Sequence, residues 1–194
     1  MPLPPIRRKR RAGLFAIAAA MLGGLIWLGN APPAQGSGFR DRSVPMTVQT
    51  DLDIERYQGL WFEIARYPNR FERDCVAVTA EYALREDGQV MVRNSCRKNR
   101  FDGPLEVAEG RARVEGPGRL SVNFVRFLPF IRGDYYVLDV TPDYAVAVVG
   151  EPSGRFGWIL ARQPRLAPPV LERALSVLER NGYDISELYY TPHP

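Results

Sequence analysis

Apolar and polar residues alternate along much of the chain between residues 60 and 161. One such segment places Val78, Ala80 and Tyr82 on the same face of an extended backbone. A period of two is typical of a β-strand that has one face in a core. The pattern predicts eight strands: Leu60–Arg66, Val76–Leu84, Gln89–Cys96, Val107–Val114, Arg119–Val125, Tyr135–Val140, Tyr144–Val149 and Phe156–Ala161.

Short turn sequences separate most of the predicted strands. Eight short strands joined by tight turns favour an antiparallel meander, which forms a sandwich or a barrel. Two of the strands, at 135–140 and 145–149, are apolar on both faces. We therefore predict an all-β fold, an eight-stranded antiparallel up-and-down β-barrel with part of its outer wall covered. Each turn contains Gly or Pro: Glu86-Asp87-Gly88, Gly116-Pro117-Gly118, Thr141-Pro142-Asp143 and Pro152-Ser153-Gly154.

One helix is predicted after the last strand. Pro168 and Pro169 suit a first helical turn, and Gly182 suits the position just beyond the last turn. We expect this C-terminal α-helix to pack outside the barrel through one apolar stripe. The stripe is formed by Leu171, Ala174, Leu175 and Leu178.

The N-terminal region has the pattern of an export signal. Residues 7–11 are all basic, and the 17 residues from Ala12 to Leu28 carry no charge. This pattern is typical of a secretory signal peptide, and the length of the apolar run leaves an uncleaved anchor as an alternative. Both interpretations place the rest of the chain outside the cytoplasm, because the basic flank stays inside. We assign residues 1–38 to a signal peptide or N-terminal membrane anchor and residues 39–51 to a linker.

The positive charge of the chain is concentrated in this leader. The formal net charge is +4, from 26 Lys and Arg against 22 Asp and Glu. Beyond the five basic residues at 7–11, 21 basic residues accompany 22 acidic ones. We therefore expect no nucleic acid as a partner.

The cysteines and the histidine limit the chemistry that the chain can carry out. Cys75 and Cys96 are the two cysteines, and His193 is the single histidine. Two cysteines in an exported chain favour one disulfide, although two buried free thiols are the alternative. This inventory excludes a His/Cys metal site, and we predict no metal and no cofactor.

Two motifs resemble those of the lipocalin family. The segment from Asp53 to Arg66 contains Gly59 and Trp61 in the family's Gly-x-Trp arrangement, after a predicted one-turn helix. The segment Trp158-Ile159-Leu160-Ala161-Arg162-Gln163-Pro164 is similar to the family's last-strand motif. A third family motif, Thr-Asp-Tyr in many members, is matched at Asp139 alone.

The resemblance runs from about residue 52 to 191 and is strongest to the bacterial lipocalins and their apolipoprotein D relatives. It makes residues 52–194 a lipocalin domain. It also implies that the Arg162 guanidinium packs over the Trp61 indole at the closed end of the barrel. The residues to which it assigns structural roles are Gly59, Trp61, Asp139 and Arg162.

The alternation and the resemblance together assign a set of inward-facing residues to a ligand cavity. An eight-stranded barrel can hold one small ligand. The set is mainly apolar and aromatic, which suits an acyl chain or another elongated hydrophobe, and plain core filling is the alternative for each member. The predicted ligand-binding residues are Val78, Ala80, Tyr82, Val92, Asn94, Ala108, Val122, Phe124, Tyr136, Ala147, Phe156 and Trp158.

The resemblance implies a non-catalytic protein that binds and carries or stores fatty acids, lysophospholipids or similar lipids in the cell envelope. It would be periplasmic or anchored to face the periplasm, with association with the outer membrane as an alternative. A protein-interaction module with a filled barrel is a second hypothesis. A lipocalin-type enzyme is a third, for which the Cys75 and Cys96 thiols or an inward Glu63 would be the candidate groups.

One predicted loop is unusually apolar. Phe127, Leu128, Phe130 and Ile131 lie between two strands, and we expect them at the open end of the barrel. They predict a ligand portal or a contact with a membrane surface. The alternative is a loop folded over the opening with a solvated basic rim. Monomer and dimer are both compatible with the sequence.

Overall fold

The computed structural model describes residues 38–125 and 127–194. Within these ranges nine strands form one antiparallel sheet, and the helical segments are α1 (Ile54–Tyr57), α2 (Pro168–Arg180) and a 3-10 turn at Ile185–Glu187. The strands are β1 (Gly59–Arg66), β2 (Cys75–Leu84), β3 (Val90–Lys98), β4 (Leu105–Gly116), β5 (Arg119–Asn123), β6 (Gly133–Val140), β7 (Val146–Gly150), β8 (Gly157–Ala161) and β9 (Tyr189–Tyr190).

The first eight strands close into a barrel. Each strand from β1 to β7 pairs antiparallel with the next one, and β8 pairs back with β1. The predicted eight-stranded up-and-down barrel with one helix outside is therefore confirmed. The loops after β1, β3, β5 and β7 lie at one end, here called the mouth, and α1 lies at the opposite, closed end.

Two apolar cores explain why some strands are apolar on both faces. On β7, Ala147 and Val149 pack inside the barrel, whereas Val146 and Val148 pack on its outer wall. Helix α2 covers that wall, so both faces of the strand are removed from water. The buried residues of α2 are Ala174, Val177 and Leu178.

The closed end is held by Trp61 and Arg162. Trp61 is fully buried, and its indole N–H donates to the Tyr57 carbonyl at 2.8 Å. The Arg162 guanidinium carbon lies 3.8 Å from the centroid of the Trp61 ring. This contact is a cation–π interaction on the face of an indole, which is the most favourable ring for it.

The same guanidinium fixes the backbone that links α1 to β1. It donates to the carbonyls of Leu60 and Gln58 at 2.7 Å each and to that of Arg56 at 3.0 Å. Gly59, within this segment, has φ +89°, and a Cβ there would lie 3.4 Å from Arg162 Nη1. The positive φ favours a glycine at this position, and the guanidinium packs directly against it.

Replacement of this arginine tests how far the closed end stabilises the barrel. We expect Arg162→Lys to lower the free energy of unfolding by about 2–4 kcal/mol, because an ammonium cannot donate to several carbonyls while stacking on the indole. Arg165→Lys is the control, since Arg165 is exposed and its side chain makes one hydrogen bond, of 3.3 Å, to the backbone oxygen of Pro194. Urea unfolding measures both; equal midpoints for Arg162→Lys and the unmodified protein would contradict this role.

The segment predicted to be a linker packs against the barrel instead. The Phe39 N–H donates to the Gly154 carbonyl at 2.7 Å, and the Phe39 ring stacks on Tyr67 with centroids 4.9 Å apart. Further along, the Gln49 N–H donates to the Val137 carbonyl at 2.9 Å. Sequence alone did not reveal this, because the segment has no periodic apolar pattern. It runs along the outer wall from the mouth towards the closed end.

The predicted signal peptide or anchor lies almost entirely outside the described residues. Among residues 38–125 and 127–194, no helix has the length and apolar character needed to cross a bilayer.

The C-terminal segment completes the barrel wall at the mouth. The β1–β2 pairing stops at Phe62 and Thr79. Beyond that point β9 pairs with the end of β1, and the Ala77 N–H donates to the Pro192 carbonyl at 2.8 Å. The last residues of the chain therefore lie between β1 and β2, where the two strands have separated.

Candidate functional site

Side chains fill the barrel interior near the closed end. Trp61, Tyr57 and Tyr82 are buried there in one cluster with Val90 and Leu120. Rings of this size leave the lower half of the interior without room for a ligand. Any ligand inside the barrel must therefore occupy the half nearer the mouth.

Three tyrosine hydroxyls mark the boundary between the two halves. The hydroxyl of Tyr135 lies 2.9 Å from that of Tyr57 and 2.8 Å from that of Tyr82. Burial raises the pKa of all three phenols well above the usual value, so they stay neutral over the physiological pH range. They form a neutral, hydrogen-bonded floor beneath the upper half of the interior.

An aromatic column rises from this floor to the mouth. The ring centroid of Tyr135 is 6.4 Å from that of Trp158, which stacks on Phe156 at 6.0 Å with nearly parallel planes. Phe156 is in turn 6.3 Å from Phe71 in the β1–β2 loop. Phe71 is 65% exposed, and Trp158 and Phe156 are half-buried. The upper half of the interior is thus an apolar aromatic surface that the protein's own side chains do not fully cover.

Most of the predicted ligand-binding residues line the barrel interior or its mouth, at different depths. Ala80, Tyr82, Val92 and Ala147 are buried in the interior cluster, and Val122 and Trp158 pack against it. Asn94 and Ala108 face each other across β3 and β4 in the upper half. The remaining predicted residues are Val78, Phe124, Tyr136 and Phe156.

Three of these occupy the upper half or its edge. Phe124 is 44% exposed and lies over the interior side of Gly110, where a Cβ would be 2.8 Å from its ring. Phe156 precedes β8 and belongs to the aromatic column. Val78 is buried in a separate small cluster with Cys75 and Cys96.

Tyr136 does not face the interior, so that prediction is wrong. It packs in the outer core, and the Arg119 guanidinium lies 5.5 Å from its ring centroid. Its neighbour Tyr135 points inwards, as its pairing with the interior residue Leu120 requires. Alternation could not distinguish the two tyrosines, because β6 is apolar on both faces and a β-bulge interrupts its register with β7 between Val137 and Asp139.

The side chains of Asp139 and Asn94 each have an oxygen that lacks a hydrogen-bond partner among the described residues. Among the described residues, no hydrogen bond to the Asp139 carboxylate is present, so its predicted structural role stays a prediction. The Asn94 Oδ1 atom is buried and also has no partner among the described residues. It lies in the upper half of the interior, opposite Ala108.

The two cysteines form the predicted disulfide. Cys75 and Cys96 are bonded at 2.08 Å with their Cα atoms 5.5 Å apart, which links β2 to β3 near the mouth. Neither sulfur is a free thiol. The enzyme hypothesis therefore loses its candidate nucleophile.

A buried cluster of charged groups supports the wall of the upper half, and sequence reasoning identified only one of its members, Glu63. Arg66 donates to Glu63 at 2.7 Å and to Thr191 at 3.0 Å, and its Nε lies 3.8 Å from Glu72. The hydroxyl of Thr191 donates to Glu63. The Trp158 indole N–H donates to Glu72 at 3.3 Å, which connects this cluster to the aromatic column.

The surroundings of Glu63 in this cluster disfavour its ionised form. Burial and the neighbouring Glu72 raise the pKa of Glu63 from 4.5 to about 8, although Arg66 opposes the shift. The protonated form of Glu63 is therefore favoured at pH values where an exposed glutamic acid is ionised. The arrangement links β1, the β1–β2 loop and the C-terminal segment.

Glu63→Gln tests this protonation through stability. Between pH 4.5 and about 8 the folded chain keeps a proton that the unfolded chain has released. Stability from this group therefore falls as pH rises, by up to about 1.4 kcal/mol per pH unit. The neutral amide lacks this slope, so the variant should gain stability relative to the unmodified protein between pH 5 and pH 8. Urea unfolding across that range measures it.

Glu81→Gln is the matched control for that experiment. Glu81 lies on the exposed wall, and its carboxylate pairs at 3.8 Å with Arg93. We expect its unfolding curves to follow those of the unmodified protein at every pH. If the stability of Glu63→Gln also follows that of the unmodified protein at every pH, Glu63 is ionised in the folded chain and the account is wrong.

The loops at the mouth expose several large apolar side chains. Phe127 is 82% exposed, Phe130 77% and Ile131 48%, whereas Leu128 is half-buried. The Asn123 amide donates to the Leu128 carbonyl at 2.9 Å and also to that of Ile131, which fixes the base of the loop. The phenyl rings therefore project into solvent and do not fold back over the opening.

Comparisons with known proteins agree with this architecture. A family model described as a lipocalin-like domain matches residues 52–193. Temperature-induced lipocalin-1 of Arabidopsis thaliana is 37% identical over 153 residues, covering 76% of this chain and 82% of the relative. The outer membrane lipoprotein Blc of Escherichia coli strain K12 is 37% identical over 150 residues, covering 77% and 84%.

A mammalian relative and a solved structure extend the match. Apolipoprotein D of Macaca fascicularis is 30% identical over 168 residues, covering 81% of this chain and 86% of the relative. The structure of insecticyanin from the tobacco hornworm Manduca sexta superposes with a TM-score of 0.62 at 19% identity, covering 81% and 87%. That likeness concerns the fold alone.

Proposed function

This chain belongs to the lipocalin family, and from that premise we propose that it is a non-catalytic carrier that binds the acyl chain of a lipid in the upper half of the barrel. The observation that carries the proposal is the incompletely buried aromatic column above the tyrosine floor. Apolar surface left open inside a protein is the feature that a hydrophobic ligand covers. Fatty acids and lysophospholipids are the ligands of this type that we favour.

The depth of the interior sets how such a ligand is held. Burial of each methylene contributes about 0.8 kcal/mol, so the chain needs few polar contacts. The floor at Tyr57, Tyr82 and Tyr135 stops it before it reaches Trp61, on which Tyr57 packs. A long chain therefore leaves its polar end at the mouth, and Asn94 is available for a hydrogen bond on the way.

We further propose that the mouth rests on a membrane surface outside the cytoplasm. Support comes from the exposed rings of Phe127 and Phe130 and from the basic residues of the same loops.

A tryptophan placed in the upper half tests the ligand site. We expect Ala108→Trp to weaken binding of a fluorescent fatty acid about tenfold or more, because the indole occupies volume that the acyl chain needs. Val107→Trp is the matched control, since this neighbouring residue is 43% exposed and points to the opposite face of β4. Titration of the probe measures both affinities. Equal affinities in the two variants would contradict a ligand in the upper half.

Vesicle flotation tests the membrane contact. We expect Phe127→Ser/Phe130→Ser to reduce the fraction bound to phospholipid vesicles severalfold, because two exposed rings lose their contact with the interface. Met91→Ser/Val114→Ser removes two comparably apolar exposed side chains away from the mouth and should leave binding unchanged. Unchanged flotation of the phenylalanine variant, or its equal loss in both, would refute contact through this loop.

A further inference from the structure

The tyrosine floor has one more hydrogen-bond donor than it uses. Because burial raises the pKa of Tyr57, Tyr82 and Tyr135 well above the ordinary phenol value, each keeps its hydroxyl hydrogen. Within the described residues the three hydroxyls make two contacts, both to the Tyr135 oxygen, at 2.9 and 2.8 Å. Each contact uses one hydrogen, so one of the three O–H groups has no acceptor.

An amide oxygen without a donor lies in the next layer above this floor. Tyr82 pairs with Val92 and Ala80 pairs with Asn94, so Asn94 is the next inward-facing residue of β3 towards the mouth. One such step is about 7 Å along a strand. The Oδ1 atom of Asn94 is buried and accepts no hydrogen bond from the described residues. The deep end of the upper half therefore holds one unused donor and one unused acceptor.

Small residues on both neighbouring strands leave space beside this amide. Asn94 pairs with Ala80 on β2 and with Ala108 on β4. Ala108 is exposed although its position faces the interior, so the interior is open at this level. From Asn94, β3 runs about 13 Å further towards the mouth before it ends at Lys98. A group that reaches Asn94 from the mouth is therefore at the far end of the ligand.

A hydroxyl is the neutral group that pairs with both unused partners. It accepts a hydrogen bond from a phenol while it donates one to an amide oxygen. A carboxylate only accepts, an ammonium only donates, and neither the tyrosines nor Asn94 can balance a buried charge. A methyl end does neither, and it leaves both protein groups unsatisfied.

We propose that the deep end of the interior binds a hydroxyl group carried at or near the far end of a ligand's acyl chain. The inference rests on the proposed carrier function and adds a preference among acyl chains. A site that hydrogen-bonds a ligand hydroxyl discriminates against the analogue that lacks it, because the buried polar groups are then left unpaired. Chains that end in a methyl group still bind through their apolar surface.

Three acids with the same number of carbons test the position of the hydroxyl. They are hexadecanoic acid, ω-hydroxyhexadecanoic acid and α-hydroxyhexadecanoic acid, whose hydroxyl stays beside the carboxyl group at the mouth. Displacement of a fluorescent fatty acid measures their affinities. We expect the ω-hydroxy acid to bind the unmodified protein at least as tightly as hexadecanoic acid, because its two hydrogen bonds offset the lost hydration. Weaker binding of the ω-hydroxy acid would overturn the proposal.

Asn94→Leu removes the acceptor and keeps the approximate volume of the side chain. We expect it to weaken the ω-hydroxy acid about tenfold or more, and hexadecanoic acid and the α-hydroxy acid less than about threefold. The variant should fold normally and unfold in urea at an equal or higher midpoint, because it loses an unsatisfied buried oxygen. An equal change for all three acids would show that Asn94 only shapes the cavity, and would overturn the hydroxyl site.

Ser95→Ala is the matched control on the same strand. Ser95 pairs with Val107, which lies on the opposite face of the sheet from Ala108, so its hydroxyl points away from the interior. We expect all three affinities to stay within about threefold of those of the unmodified protein. A selective loss of the ω-hydroxy acid in Ser95→Ala would contradict recognition inside the barrel.

The same titrations distinguish this inference from the function on which it rests. If none of the three acids binds the unmodified protein, the carrier function is wrong. If hexadecanoic acid binds and the ω-hydroxy acid is excluded, the carrier function stands and the hydroxyl site is wrong.

Discussion

The contact between the Arg162 guanidinium and the Trp61 indole determines which end of the barrel can hold a ligand. At 3.8 Å from the ring centroid, the cation covers the indole while it binds the carbonyls that precede and begin β1. These bonds fix the entry of the chain into the first strand and place Trp61 across the barrel axis. Tyr57 and Tyr82 then pack above it, so half of the interior belongs to the core. The remaining space faces the mouth, where the loops between strands are longest.

The wall of that upper half depends on groups that are costly to bury. Glu63, Arg66 and Glu72 lie where β1 separates from β2, and the cost of their burial is reduced by their mutual hydrogen bonds and ion pairs and by the hydroxyl of Thr191. The C-terminal segment supplies that hydroxyl and also fills the gap between the strands. The charged cluster therefore connects the integrity of the wall to the loop that carries Arg70 and Arg73. The mouth combines an apolar column, exposed phenyl rings and exposed arginines at one end of the barrel.

Sequence patterns predicted the elements with local signals and missed those that depend on distant contacts. The strands, α2 and the Cys75–Cys96 disulfide follow from alternation, turn residues and cysteine count. Tyr135 could not be distinguished from Tyr136, because α2 gives β6 a second apolar face. The packing of residues 39–51 depends on single contacts such as the ring of Phe39 on Tyr67, which leave no periodic trace. Apart from Arg66 on the same strand, the groups around Glu63 are Glu72 from a loop and Thr191 from the C-terminal segment, and no spacing in the sequence brings these together.

The proposed carrier function places a lipid acyl chain in the upper half of the barrel, above the tyrosine floor. Quenching of tryptophan fluorescence by a fatty acid brominated along its chain tests it directly, because bromine quenches only at short range. We predict strong quenching in the unmodified protein and its loss in Trp158→Phe, because the other tryptophan of the described residues, Trp61, is fully buried at the closed end. Absence of quenching on saturation with the brominated lipid, or quenching that persists in Trp158→Phe, would contradict a ligand beside the aromatic column.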